Sequence, residues 1–252
     1  MPFRPDDPGA AGEPGLAQHA ARIETDLRRK ILPYWFDTAQ DLDYGGYLLG
    51  DDGIRRTVPD HKQLVSQARL LWVFSHAQRL GYSDARRCYL AAAEHGRQFL
   101  SRHFLDPTHG GYVWQTDRAG RVVNDHKNLY GQAFVILALT EYHLAASDAG
   151  ALHQALQLAQ VLQRYCRDTK HGGWREHFYR DWRPRIDRQP AREVDMPGWK
   201  GGNAHMHLME ALAELYDVCC EATVREALSE SLRCNTEYFY PADASQACQY
   251  RS

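Results

Sequence analysis

Asp43-Tyr44-Gly45-Gly46-Tyr47 returns as Thr108-His109-Gly110-Gly111-Tyr112, and again as Lys170-His171-Gly172-Gly173-Trp174. The first glycines of these segments lie 65 and then 62 residues apart. A period of that size marks a chain of repeated supersecondary units, each too small to bury its own apolar face. A Gly-Gly pair permits positive φ and a sharp turn where a helix must stop. Each pair follows an amphipathic stretch and precedes a short polar or extended one.

The stretches between the turns predict helices over 18–36, 62–80, 84–104, 127–146, 150–167, 203–220 and 223–240. Short loops join helices within a pair, as at Gly81-Tyr82-Ser83 and Ser147-Asp148-Ala149. The longer excursions that carry the Gly-Gly turns include Tyr112-Val113-Trp114 and Val122-Val123, which predict short hairpin strands. Two kinds of helix alternate. Residues 150–167 are amphipathic, with Leu152, Leu156, Ala159 and Leu162 on one stripe. The run Ala133-Phe134-Val135-Ile136-Leu137-Ala138-Leu139 is apolar all round, and Leu70-Leu71-Trp72-Val73-Phe74 is nearly so. A helix apolar on every side must be buried on every side. Alternating half-buried and fully buried helices fit an all-α, incomplete (α/α)6 barrel of about seven helices; a helical solenoid fits the same pattern.

The near-balanced charge, formally -2, argues against a nucleic-acid or polybasic membrane partner. No apolar run of about 18 residues predicts a membrane span. Six cysteines without a CxxC pair read as reduced thiols of a cytoplasmic protein. The Pro/Gly/Asp-rich start reads as a disordered leader over 1–17 rather than a signal peptide. The barrel is expected over 18–240 and an aberrant tail over 241–252, where the helical pattern fades.

Polar residues interrupt the inner-type helices near their starts. Arg69 inside such a helix needs a carboxylate, carbonyls or an anionic ligand. Tyr130 and Gln132 could present a hydroxyl and an amide to a cavity, although a core Tyr with a satisfied hydroxyl is the commoner case. Asn203, His207 and Glu210 share one helical face by the i, i+4, i+7 rule. His205 points about 200° away from His207, so the two cannot chelate one metal. His207 and Glu210 amount to half a carboxylate–histidine metal site at most. No metal is expected; the pattern fits a polar cluster that faces a ligand, or a satisfied core histidine.

Three runs carry a family resemblance: Ser66-Gln67-Ala68-Arg69-Leu70-Leu71-Trp72-Val73-Phe74-Ser75, Lys127-Asn128-Leu129-Tyr130-Gly131-Gln132-Ala133-Phe134, and Asn203-Ala204-His205-Met206-His207-Leu208-Met209-Glu210-Ala211. With the Gly-Gly-aromatic turns and Arg180-Asp181-Trp182-Arg183-Pro184, their order and spacing over about 20–240 resemble the N-acylglucosamine 2-epimerase superfamily. That group includes cellobiose 2-epimerases and mannose isomerases. The resemblance implies an (α/α)6 barrel with a sugar pocket at its mouth, needing neither metal nor organic cofactor. It implies that Arg69 contacts sugar oxygens near the reacting carbons and that His207 sits beside the reacting end. Tyr130 and Asn203 would line the pocket, with Asp195 as a further substrate-binding residue.

The chemistry so implied is proton transfer at C2 through an enediolate, giving 2-epimerisation or aldose–ketose isomerisation of a mono- or disaccharide. A near-neutral base suits His207, and fixed positive charge at the developing oxyanion suits Arg69. The family's principal acid/base histidines, one in a Gly-His-x-x-Glu segment, belong to later repeats that this chain lacks. A C-terminally truncated, impaired epimerase is therefore expected, prone to self-association and able to form a homodimer. The alternatives are an (α/α)-barrel hydrolase or lyase using carboxylates among Asp195, Glu210 and Asp181, or a non-catalytic carbohydrate- or protein-binding fragment.

Overall fold

The computed structural model describes residues 15–48, 60–185, 200–239 and 250–251. Seven helical rods run through these residues, in the number and order expected. The first is α1 (Leu16–Asp26), continued through a π-turn at Leu27–Ile31 into α2 (Leu32–Ala39). It is followed by α3 (Leu64–Arg79), α4 (Tyr89–Phe99), α5 (Leu129–Ala146), α6 (Ala149–Tyr165), α7 (Gly202–Cys219) and α8 (Ala222–Cys234). Helices α3, α5 and α7 lie side by side as an inner row, and α4, α6 and α8 back them in turn.

Burial follows the two helix types. On α5, Ala133 to Ile136, Ala138 and Leu139 are all buried, as expected of a helix apolar on every side. On α6 only one stripe is buried: Ala151, Ala155, Leu158, Ala159 and Leu162. Leu152 and Leu156 sit at its margin, partly buried. The short αα loops have local causes. Ser147 ends α5 in the left-handed region at φ 56°, and the Asp148 carboxylate caps α6 by accepting from the Gly150 and Ala151 amides.

Three expected starts shift. Residues 84–88 are not helical; the Asp84 carboxylate instead accepts from the Arg86 and Arg87 amides and holds a turn. Lys62 and Lys127 do not begin helices. They lie in β1 (His61–Gln63) and β4 (Lys127–Asn128), the strands that lead into α3 and α5. The predicted hairpin exists as β2 (Gln115–Asp117) and β3 (Val122–Asn124), joined by β1 into a three-stranded antiparallel sheet. Further short pairs are β4 with β5 (His177–Phe178), and β6 (Lys200–Gly201) with β7 (Tyr250–Arg251). Apart from the β6–β7 pairing, the expected tail over 241–252 lies outside the described residues, as does the leader up to residue 14.

The repeat unit is a buried clasp. Asp41, Asp106 and Asp168 each stand four residues before the first glycine. One carboxylate oxygen of each accepts from the two amides inside the turn, as Asp106 does from Thr108 and His109. The other oxygen meets a lysine that enters the next inner helix: Lys62, Lys127 and Lys200, at 2.9, 3.0 and 3.0 Å. Each lysine also donates to the carbonyl of the turn's first glycine. Burial alone would raise the Asp106 and Asp168 carboxyls. Hydrogen bonds, chiefly from Arg180 and Lys127 to Asp106 and from Lys200 to Asp168, hold both far below the usual carboxylate range.

A second polar contact locks each turn to its inner helix. The Gln67 side chain accepts from the Tyr47 amide and donates to its carbonyl, and Gln132 does the same for Tyr112. Gln132 is therefore fully buried and does not present its amide to a cavity; it satisfies a backbone pair that would otherwise be orphaned. In the third unit His205 takes this place, its Nε2 accepting from the Trp174 amide at 3.0 Å.

Candidate functional site

Because inner and outer helices alternate, α3, α5 and α7 run the same way, and their N-terminal ends meet on one concave face. Arg69 on α3 donates from Nη2 to the Tyr130 hydroxyl on α5 at 2.9 Å. Its guanidinium also lies 4.4 Å from the centre of the Phe134 ring. His207 on α7 packs edge-on against Tyr130, ring centres 5.2 Å apart, and at 4.6 Å from Phe134. Three helices thus bring a fixed cation, a hydroxyl and an imidazole to one groove mouth. Arg69 is exposed and His207 half-buried, so both face open space.

Of the residues expected on a common surface, Arg69, Tyr130 and His207 lie together in the structure. Asn203 lies one turn before His207 on the same face of α7 and is exposed. Asp195 falls outside the described residues. His205 is fully buried on the opposite side of α7, where burial pushes its imidazole down to about 4. Glu210 accepts from His207 Nδ1 at 2.7 Å, and Asp181 pairs with Arg183. Of the three carboxylates named for the hydrolytic alternative, the two within the described residues are therefore engaged.

Phe134 and Trp72 were not singled out by the sequence, because in an apolar helix nothing marks which face lines a cavity. Trp72 stacks on His76 deeper in the groove, with ring centres 4.6 Å apart. There the buried Glu141 accepts from Arg79 Nε at 2.6 Å and from His76 Nδ1 at 2.9 Å, which ties α3 to α5. Ten residues of helix separate Arg79 from Arg69, about 15 Å. The groove therefore has a polar mouth, an aromatic wall and an ion-paired far end. A separate cavity of about 610 Å³ lies on the outer side between α6 and the second Gly-Gly turn, lined by His109, Gln157, Arg164 and Tyr165 among others. It contains none of the predicted site residues.

Comparison with known proteins finds similar sequences and similar solved structures. A cellobiose 2-epimerase from Bacteroides fragilis is 30% identical over 224 residues, 88% of this chain and 56% of that protein. A D-mannose isomerase from Marinomonas mediterranea is 28% identical over 189 residues, 75% of this chain and 43% of its own. The solved structure of cellobiose 2-epimerase from Spirochaeta thermophila superposes with a TM-score of 0.77 at 33% identity, over 88% of this chain and 55% of that one. The chain spans about half the length of the curated relatives it matches. A glycoside hydrolase family 76 α-mannanase of Bacteroides thetaiotaomicron superposes with a TM-score of 0.62 at 15% identity, which shows a shared fold alone. The sequence profile for N-acylglucosamine 2-epimerase (GlcNAc 2-epimerase) matches residues 46–239, and with it the chain belongs to that family.

Proposed function

We propose that the groove holds the open-chain end of a mono- or disaccharide and serves proton transfer at C2, as in 2-epimerisation or aldose–ketose isomerisation. The observation that carries this reading is the convergence of Arg69, Tyr130 and His207. Breaking the C2–H bond puts the proton on His207 Nε2. The electron pair forms a C1–C2 double bond, and the carbonyl pair moves onto O1. Arg69 and the Tyr130 hydroxyl stand where the resulting enediolate charge would need a cation and a donor. Return of the proton to C2 from the other face, as the O1 pair reforms the C1 carbonyl, gives the epimer; return to C1, as the O2 hydroxyl proton passes to O1 and the C2 carbonyl forms, gives the ketose. Asn203 and Asp195 would bind substrate hydroxyls.

Cytoplasmic location and a homodimer belong to the same reading. Among the described residues the cysteines are free thiols and no helix is long and apolar enough to cross a membrane. Exposed Leu16, Ile23 and Ile31 on the first helical rod support self-association. The activity test is incubation of the chain in D2O with cellobiose, mannose and N-acetylmannosamine, followed by NMR. Deuterium at C2 of one of them, lost in Arg69→Ala, is the expected result. No exchange and no binding of any of the three would overturn the reading.

A further inference from the structure

We infer that Glu210 is a positioning residue that fixes the tautomer of His207. Its catalytic meaning rests on the sugar reading above, but its structural content does not. The Glu210 carboxylate lies 2.7 Å from His207 Nδ1. A carboxylate can only accept, so Nδ1 must carry the proton and Nε2 keeps its lone pair. Spacing of i, i+3 on α7 builds this contact into one rigid element. Packing against Tyr130 at 75° and Phe134 at 45° then sets the plane of the ring. The carboxylate fixes the proton and the aromatic rings fix the orientation.

The distribution of exposure fits that division. The Glu210 side chain is 48% exposed and the His207 side chain 17%. The carboxylate therefore stays at the edge of the groove while the imidazole forms part of its wall. Nε2 makes no hydrogen bond to any described residue, which leaves it available to a ligand. It is the nitrogen that a C2 proton would reach, and Glu210 offsets the charge the ring gains on taking it. Another histidine–carboxylate pair, His76 with Glu141, cannot serve the same carbon. His76 lies seven residues beyond Arg69 along α3, about 10 Å deeper. It supplies an internal comparison instead, a pair bridging two helices rather than one within a helix.

Long-range ¹H–¹⁵N correlation of the ¹⁵N-histidine-labelled full chain reads the tautomer directly. With the ring neutral, wild-type His207 is expected as Nδ1–H. Glu210→Ala is expected to move it to Nε2–H, Glu210→Gln to retain Nδ1–H in part, and Glu141→Gln to leave it unchanged. An Nε2–H ring in the wild type, or no change in Glu210→Ala, would overturn the inference. Where C2 exchange is measurable, Glu210→Ala should lower kcat roughly tenfold or more with little change in KM, and Glu210→Gln should recover part of the loss. Absence of C2 exchange from the wild type alongside an Nδ1–H signal would count against the sugar reading and leave the positioning role standing.

Discussion

Lys127 Nζ lies 3.0 Å from the Asp106 carboxylate, and neither side chain reaches solvent. The same pair recurs as Lys62 with Asp41, and as Lys200 with Asp168, where the lysine is 14% exposed. Removing one member of a buried pair strands the other charge, at a cost of about 3–5 kcal/mol. Arg180 also holds Asp106, at 3.0 Å, so Lys127→Ala should fall at the low end, about 3 kcal/mol. Lys127→Ala combined with Asp106→Asn should cost less than the sum of the two single changes, because the stranded charge is gone. Urea unfolding midpoints check both statements; full additivity would mean that the pair does not hold the turn.

His205 predicts a specific acid sensitivity. Desolvation lowers its folded value to about 4 from an ordinary 6.5, outweighing the opposing hydrogen bond to the Gly201 carbonyl. The native state therefore needs the neutral ring. Its stabilising contribution is complete above pH 6.5 and is lost as pH falls from 6.5 through 4, because only the unfolded chain takes up the proton in that window. The full loss is about 3 kcal/mol. The depressed Asp106 and Asp168 carboxyls act in a lower window, below their ordinary 3.8. Gln occupies the equivalent place in the other two clasps, so His205→Gln should fold and flatten the melting temperature between pH 6.5 and 4. An unchanged pH slope in that variant would refute the assignment.

The contrast between His205 and His207 was legible in the sequence, since two residues on a helix differ by about 200°. So were the seven rods, because helical periodicity over a dozen or more residues leaves little choice. The strand leads at Lys62 and Lys127 were not legible; two or three residues are too few to show alternation. Gln132 misled for a different reason. A polar residue in an apolar run looks the same whether it meets a ligand or an orphaned backbone pair, and here it meets Tyr112. The aspartates of the clasp were available, at a constant four residues before each Gly-Gly, but conspicuous glycines drew the comparison to themselves. Phe134 could not be told from its apolar neighbours until the groove was seen.

Arg69 separates function from stability. Its side chain is exposed and its contacts are the Tyr130 hydroxyl and the Phe134 face. Arg69→Ala should change unfolding free energy by about 0.5 kcal/mol or less, as for an exposed site. Loss of a cation at the enediolate should lower C2 exchange about a hundredfold. Tyr130→Phe keeps the ring against His207 and removes only the hydroxyl, so its effect should be smaller and confined to exchange. A large stability loss in Arg69→Ala, or equal exchange in all three proteins, would remove Arg69 from the site.

Gly110 and Gly111 test the turn itself. Both have left-handed backbone, at φ 72° and 69°. A side chain in that region costs about 1–2 kcal/mol for conformation alone. At Gly110 an added Cβ would meet only Val161, at 3.4 Å, so Gly110→Ala should cost little beyond that strain. At Gly111 the Cβ would lie 2.4 Å from Trp182 Cζ2 and 3.1 Å from Gln132 Oε1. Trp182 cannot withdraw freely: its indole donates to the His109 carbonyl at 2.9 Å, and Tyr165 stacks on it with ring centres 5.7 Å apart. Gln132 is held by both polar groups of Tyr112. Gly111→Ala should therefore lose several times the stability lost by Gly110→Ala in the same denaturation experiment. Trp182→Leu, destabilising alone, should shrink the added penalty of Gly111→Ala, because the atoms in collision are gone. Equal costs at the two glycines would show that positive φ alone sets the preference, and that the contact with Trp182 does not constrain the turn.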